Sequence, residues 1–301
     1  MSRRAAAAAA ALVAVAALAG VGCERRSAAA GPAAGEPAAR VVATADHGAE
    51  VLLDEHVAPG RSVMTALMGV TPVETAYGGG FVLSMLGRGS SSSPSADWFF
   101  YVNGFESPVG AAAADLSDGD IAWWDHRAWE GMPRVRAVVG SWPEPFLHGV
   151  GGAAPEVAAD APLAGALERA GARVVPGDRP FRARVGTDAS LALRDPAWRA
   201  VGGDPGGMAL PGGIAGGRVV LMPAAGGAPV PVGAARAVVV LVPAGARPAD
   251  GALLAVAGLD ITAARAAAAT IAADPSVLAL RYAVAFDGAG TPVRAAGRIG
   301  P

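Results

Sequence analysis

Four histidines, one cysteine and a group of tryptophans carry most of the chemical potential of this 301-residue chain. His126 lies in Trp123-Trp124-Asp125-His126-Arg127-Ala128-Trp129-Glu130, where it could ligate a metal ion, and Trp124 and Trp129 could stack on a flat molecule. Each has a plainer alternative, a hydrogen-bonded histidine and tryptophans that fill a core. His47, His56 and His148 stand at no ligand spacing, such as two histidines four residues apart on a helix. We therefore expect no metal site. Ser90 to Ser93 lack the Gly-x-Ser-x-Gly context of an exposed nucleophile. The run Tyr77-Gly78-Gly79-Gly80-Phe81 has the glycines of a phosphate loop without its Gly-Lys-Ser/Thr ending, and reads as a bulge or close strand crossing. Catalytic residues are not assigned, and we expect a protein that is not an enzyme.

These side chains need a scaffold, and the best local signal for one is Asn103-Gly104 between apolar runs. Both central residues of a type I′ turn need positive φ, which Asn and Gly tolerate. A two-residue loop there pairs Val102 with Phe105, Phe100 with Ser107 and Trp98 with Val109. Trp98, Phe100, Val102 and Phe105 then face the core, and Phe99 and Tyr101 point to the opposite side. Strands are expected near 41–48 and 121–126, and within 75–87. A short helix over 63–70 follows Ser62 as N-cap and puts Val63, Leu67 and Val70 on one face. That helix covers one side of the sheet. The side with Phe99 and Tyr101 needs another cover, supplied by the second half of the chain, by 127–148 through Trp142 and Phe146, or by a ligand.

Composition bounds the rest. Alanine fills 74 positions, glycine 42, and all 24 basic residues are arginine. The net charge of −2 argues against a protein built to bind nucleic-acid phosphates. Ser2-Arg3-Arg4 followed by the apolar run Ala5 to Ala19 reads as a signal peptide over 1–22, too short for a membrane span of about 20 residues. It leads to Cys23, which resembles the lipidated first residue of a bacterial lipoprotein, although Gly20 stands where leucine is usual. The alternative is an ordinary secretory signal with an incidental cysteine. Either version puts the mature protein outside the cytoplasm, and acylation of Cys23 would leave no thiol for a disulfide. Residues 23–39 then form a flexible tether.

Three pieces of the first half resemble a known family. They are Arg61-Ser62-Val63-Met64-Thr65-Ala66-Leu67, the Tyr101-Val102-Asn103-Gly104 hairpin with Ser107-Pro108-Val109-Gly110-Ala111 after it, and Asp118-Gly119-Asp120-Ile121-Ala122-Trp123-Trp124. Their order and spacing over 41–126 resemble the transcobalamin-like C-terminal domain family, whose bacterial members are mostly of unknown function. The resemblance implies a small β-grasp-like sheet and an extracytoplasmic, lipid-anchored setting of the actinobacterial type. In the vitamin B12 carriers the related domain closes over a corrinoid. It thus implies a corrinoid as possible ligand, with His126 as a candidate for its cobalt. Fold alone does not carry that function with it.

The second half is chemically quiet. It has no His or Cys, and its carboxylates form no recognisable pair. Helices are expected over 162–172 and after Asp260 or Thr262, with a shorter one broken near Pro196. Strands are expected at 173–175, 181–186, 218–222, 237–242, 252–258 and 276–286, the unbroken apolar runs being suited to burial. The turn Val256 to Asp260 could hold an anion at a helix N-terminus. The expected seam between the halves is 149–162.

The expected fold class is α+β, a β-grasp-like small domain over 40–150 with an aromatic extension, followed by an α/β layered domain over 155–301. The expected function is an extracytoplasmic binding protein, anchored by lipid to the outer face of the cytoplasmic membrane. It takes a corrinoid-like or other small flat ligand in connection with uptake, with a membrane transporter as possible partner. The alternative is a surface module for a protein or polymer, without a small-molecule pocket. The candidate ligand-binding residues are Phe99, Tyr101, Asn103, Trp124, His126 and Trp129, and Cys23 is the lipidation site.

Overall fold

A computed structural model describes residues 36–92, 95–130, 133–223 and 227–296. The expected signal peptide, Cys23 and most of the tether lie outside them. The fold is α+β, built on two principal sheets.

The first sheet is centred on Ile121–Ala128. This strand pairs in parallel with Ala39–Ala45 and antiparallel with Ser95–Val102, and Glu50–Val57 flanks the former. Trp123 stands between Val42 and Tyr101, and Asp125 between Thr44 and Phe99. Helix α1, Val63–Val70, covers one face with Val63, Met64, Ala66 and Leu67 buried. Ser62 caps it through Oγ, which accepts from the Thr65 N–H at 3.2 Å, as the sequence predicts. Val70, expected on the buried face, is only partly buried. The Asn103-Gly104 turn also forms, with φ of 50° and 84°. It pairs Val102 with Phe105, but the returning strand ends at Glu106, before Val109 could reach Trp98.

The second sheet is mixed. Arg173–Val174, Glu156–Ala159, Phe181–Thr187 and Ala252–Gly258 run parallel in that spatial order. Ala237–Pro243, Val284–Phe286 and Pro292–Ala295 extend it with antiparallel pairings. Both Ala237–Pro243 and Ala252–Gly258 are buried along their whole length, as runs without polar residues must be. The helices are α2 (Leu163–Ala170), α3 (Asp188–Arg194), α4 (Pro196–Val201) and α5 (Ile261–Ala273). Asp195 ends α3, caps α4 through the Ala197 N–H, and holds Arg182 by two bonds of 2.5 and 2.7 Å in the interior.

Two expectations change. Residues 276–286 are not one strand. Asp274 caps a 3-10 turn over Pro275–Leu278, Leu280 adopts φ of 52°, and extended pairing starts only at Val284. Proline in the first turn of a capped helical segment explains the start. Within the expected seam at 149–162, Glu156–Ala159 is a strand of the second sheet. The anion site at Val256–Asp260 is taken by the chain itself. Asp260 Oδ1 accepts from the Ala263 N–H at 2.9 Å and Oδ2 from Arg236 at 2.9 Å. A carboxylate already sits where an anion would bind.

The interior runs across both sheets. One apolar cluster joins Val42, Tyr101 and Trp123 to Val238, Val240, Leu253 and Tyr282. A second joins Phe105, Val139 and Phe146 to Phe181, Leu241 and Leu254.

Candidate functional site

Strand alternation sorts the Ile121–Ala128 side chains into two sets. Trp123, Asp125 and Arg127 point toward the second sheet, and Trp124 and His126 toward the α1 side. The first set, with Thr44, Phe99 and Tyr101 from the neighbouring strands, meets Tyr282. The Asp125 carboxyl accepts from Tyr282 Oη at 2.8 Å, from Thr44 Oγ1 at 2.6 Å and from the Gly48 N–H at 3.2 Å. Trp123 Nε1 donates to Thr44 Oγ1 at 2.8 Å. Tyr101, Trp123 and His47 each meet the Tyr282 ring edge-on, with centroids 5.4 to 5.7 Å apart. The Arg127 guanidinium lies 3.7 Å from the Phe99 ring centroid, a cation–π contact.

This cluster has the residue types of a catalytic site, yet Thr44, Tyr101, Asp125, Arg127 and Tyr282 are all fully buried. Burial pushes the Tyr101 hydroxyl up to about 12 and Tyr282 well above its ordinary value. Burial opposes the Arg127 charge, but Tyr101, Tyr282 and Asp125 around it hold its pKa above normal. His47, with φ of 61° and 1% exposure, has neither ring nitrogen in hydrogen-bond geometry. Burial pulls its pKa down, and nearby Asp125 and the Ala128 carbonyl only partly offset this. The arrangement fixes the two sheets together. It offers substrate no approach to these groups.

The remaining candidates separate. Tyr101 is covered by Tyr282 with Val135 and Val138, so the extension does contribute cover. Trp142 and Phe146, expected in that role, pack on the other cluster, where Phe146 meets Phe181. Trp124 stacks on Phe100 at 4.8 Å within the core under α1. Asn103 is fully buried and saturated. Its Nδ2 donates to Asp120 Oδ1 at 2.7 Å and to the Gly149 carbonyl at 2.9 Å, and its Oδ1 accepts from the Ile121 N–H at 2.8 Å. Tyr101, Asn103 and Trp124 are thus interior side chains, contrary to the expectation that they contact a ligand. Trp129 is part-buried, its Nε1 donating to Asp97 Oδ2 at 2.8 Å.

His126 borders an open feature. Its Nε2 lies 3.1 Å from the Gly89 carbonyl, and its ring meets Trp98 edge-on at 5.1 Å. Trp98 Nε1 donates to the Arg88 carbonyl at 3.2 Å. Arg88 and Gly89 also line a groove of about 710 Å³ between Val73–Ala76 and the Phe81–Met85 hairpin, with Pro72, Glu74 and Met85 in its walls. The hairpin turns on Leu86 and Gly87, whose φ values are 51° and 74°. A leucine at positive φ carries no turn signal in the sequence, so neither turn nor groove was readable there.

Near this groove several apolar side chains reach the surface. Tyr77 is 91% exposed and lies edge-on to Phe81, with Leu83 and Val109 also exposed. A Cβ on Gly110 would stand 3.5 Å from the Gly80 carbonyl, which places the Val109 loop beside the Tyr77 loop.

Residues 60–128 match the model of a domain of unknown function, DUF4430. The match holds α1, the groove, the Asn103 turn and the whole of Ile121–Ala128. It contains all three motifs quoted above for the family resemblance. A solved structure of a candidate metal-binding protein from Ruminococcus gnavus is 14% identical, with 31% of this chain and 98% of that chain covered and a TM-score of 0.26. No curated protein matches the chain. Among the described residues no group of three or more His, Cys, Asp or Glu could hold a metal ion, and no helix is long and apolar enough to cross a membrane.

Proposed function

We propose that this chain is an extracytoplasmic, lipid-anchored binding protein that engages a macromolecular partner, protein or polymer, through the outward side of its DUF4430 segment. One observation carries this reading. The aromatic face that could stack a flat ligand is filled by Tyr282, while Tyr77 and Val109 stand exposed on adjacent loops and Leu83 is exposed on the strand that follows the Tyr77 loop. Exposed apolar groups gathered on one surface mark interaction sites. Support for the anchor comes from the sequence, in the basic start, the apolar run and Cys23.

A corrinoid-like ligand passed to a transporter is the second reading, and the groove beside His126 and Trp98 favours it. Calorimetry separates the two. The purified protein is titrated with cobalamin and cobinamide, and photo-crosslinking from position 77 is run in membranes of the producing cell. Interaction through the surface gives no corrinoid heat at micromolar protein. It also gives a discrete crosslink that Leu83→Ser abolishes. Saturable corrinoid heat that His126→Ala removes, with no crosslink, would replace this reading by the second. Release of Cys23→Ser protein from the membrane fraction tests the anchor, and membrane retention of that variant would refute it.

A further inference from the structure

A second open feature lies at the far edge of the second sheet. It is a hollow of about 270 Å³ lined by Val277, Arg281, Val284, Pro292, Arg294 and Ala295. Four of the six are apolar, and the other two are arginines. No carboxylate lines it. The Nη1 of Arg281 is sealed from solvent with no acceptor in hydrogen-bond geometry.

Several arginines taken partly or wholly out of water have anionic partners, and part-buried Arg136 donates to the Gly245 carbonyl at 2.7 Å. Arg182 holds Asp195, Arg184 holds Asp160, Arg88 holds Glu50 and Arg40 holds Asp54. Arg281 and Arg294 are both part-buried, and neither has an ion pair with any described residue. A guanidinium cannot shed its charge by deprotonation. The sealed Nη1 holds the guanidinium in place without meeting solvent, and a guanidinium without an anionic partner favours an incoming one through its accessible N–H groups. The wall geometry is also held from behind. Arg281 donates its backbone N–H to Leu278, and Gly140 packs so closely that a Cβ there would stand 2.6 Å from the Arg281 nitrogen.

We propose that this hollow is a binding site for a small oxyanion, a carboxylate or phosphate group bearing a short aliphatic body. The two guanidinium groups take the oxygens, which their planar forks suit. The valine, proline and alanine walls take the aliphatic part. The volume is near the lower end for ligand pockets, so the ligand is fragment-sized. The site lies outside the DUF4430 match and is independent of the function proposed above.

The test uses the full chain in detergent and three probes, butyrate, butyl phosphate and inorganic phosphate, with sodium chloride matched for ionic strength. Thermal stability and calorimetry are the readouts. Saturable stabilisation by butyrate or butyl phosphate is expected, and the stronger of the two identifies the oxyanion. Arg281→Met and Arg294→Met should each weaken that binding by about 10- to 100-fold, the usual effect of losing a charged hydrogen bond. Inorganic phosphate also stabilises proteins by exclusion from their surface, so its effect is read against the double variant at the same salt. With no anion present, Arg281→Met should melt at or above the parent temperature, because it deletes a buried donor without a partner. The proposal is overturned if neither organic probe saturates, or if the double variant responds as the parent does.

Discussion

Replacing Asn103 by aspartate exchanges one NH2 group for an oxygen and keeps the side chain's shape. In the parent, that NH2 donates to the Asp120 carboxyl at 2.7 Å and to the Gly149 carbonyl at 2.9 Å, both in the interior. In the variant both contacts become oxygen facing oxygen. A hydrogen bond to a charged group contributes about 1.5 to 3 kcal/mol, and one to a neutral carbonyl about 0.5 to 1.5 kcal/mol. The expected loss near neutral pH is therefore about 2 to 4.5 kcal/mol. The turn itself is not disturbed, since Asp also tolerates positive φ. Burial already pushes the Asp120 pKa up, against the Ser117 N–H and Asn103 that favour its charge. Two carboxyl groups at this distance share a proton, which restores the bond to Asp120. The folded variant then binds more protons than the unfolded chain above the ordinary carboxylate range. Its stability falls as pH rises through that range. Guanidinium unfolding followed by tryptophan fluorescence, at about pH 5 and about pH 7.5, should show the smaller deficit at the lower pH. A deficit under about 1 kcal/mol, or one that does not change with pH, would refute the assignment of Asn103 as a buried polar tie.

Other consequences are simpler. Tyr282→Phe keeps the ring contacts and removes the hydrogen bond to Asp125, and should cost about 1.5 to 3 kcal/mol by denaturant midpoint. Stability should decline as pH falls below the ordinary histidine range, because His47 is held neutral when folded and takes a proton when unfolded. His47→Asn, which tolerates the same φ, should flatten that dependence between about pH 7 and pH 5. Asp195→Asn should cost about 3 to 5 kcal/mol by leaving the Arg182 charge unpaired, and Arg182→Met combined with Asp195→Leu should cost clearly less.

The sequence exposed what short-range chemistry dictates. Ser62, Asp260 and the Asn103-Gly104 pair act through neighbours within a few residues, so their roles were readable. Burial at the middle of the second sheet was readable too, since Ala237–Pro243 and Ala252–Gly258 contain no polar side chain at all. The ligand face was not. Period-two alternation placed Phe99 and Tyr101 on one side correctly, but the cover on that side comes from Tyr282, a residue whose neighbours predict only a strand. Asn103 was read for its backbone angle, and its three side-chain bonds depend on Asp120 and Gly149, which no spacing rule links to it. The hollow between Arg281 and Arg294 depends on a 3-10 turn that the apolar run at 276–286 disguised as strand.

The hydroxyls of Tyr101 and Tyr282 meet across 181 residues of chain. Contacts that distant pay their loop-closure entropy before they return any stabilisation. At ribosomal speeds of about 5 to 20 residues per second, the later tyrosine is made roughly 10 to 40 s after the earlier one. For that interval Tyr101 and Trp123 have no Tyr282 to seal them, so the nascent aromatic face is open to water, to chaperones and to other chains. A copy cut short before Tyr282 would keep that face open permanently. During synthesis the seam therefore closes late, and the aromatic face of the first sheet is completed by a residue near the far end of the chain.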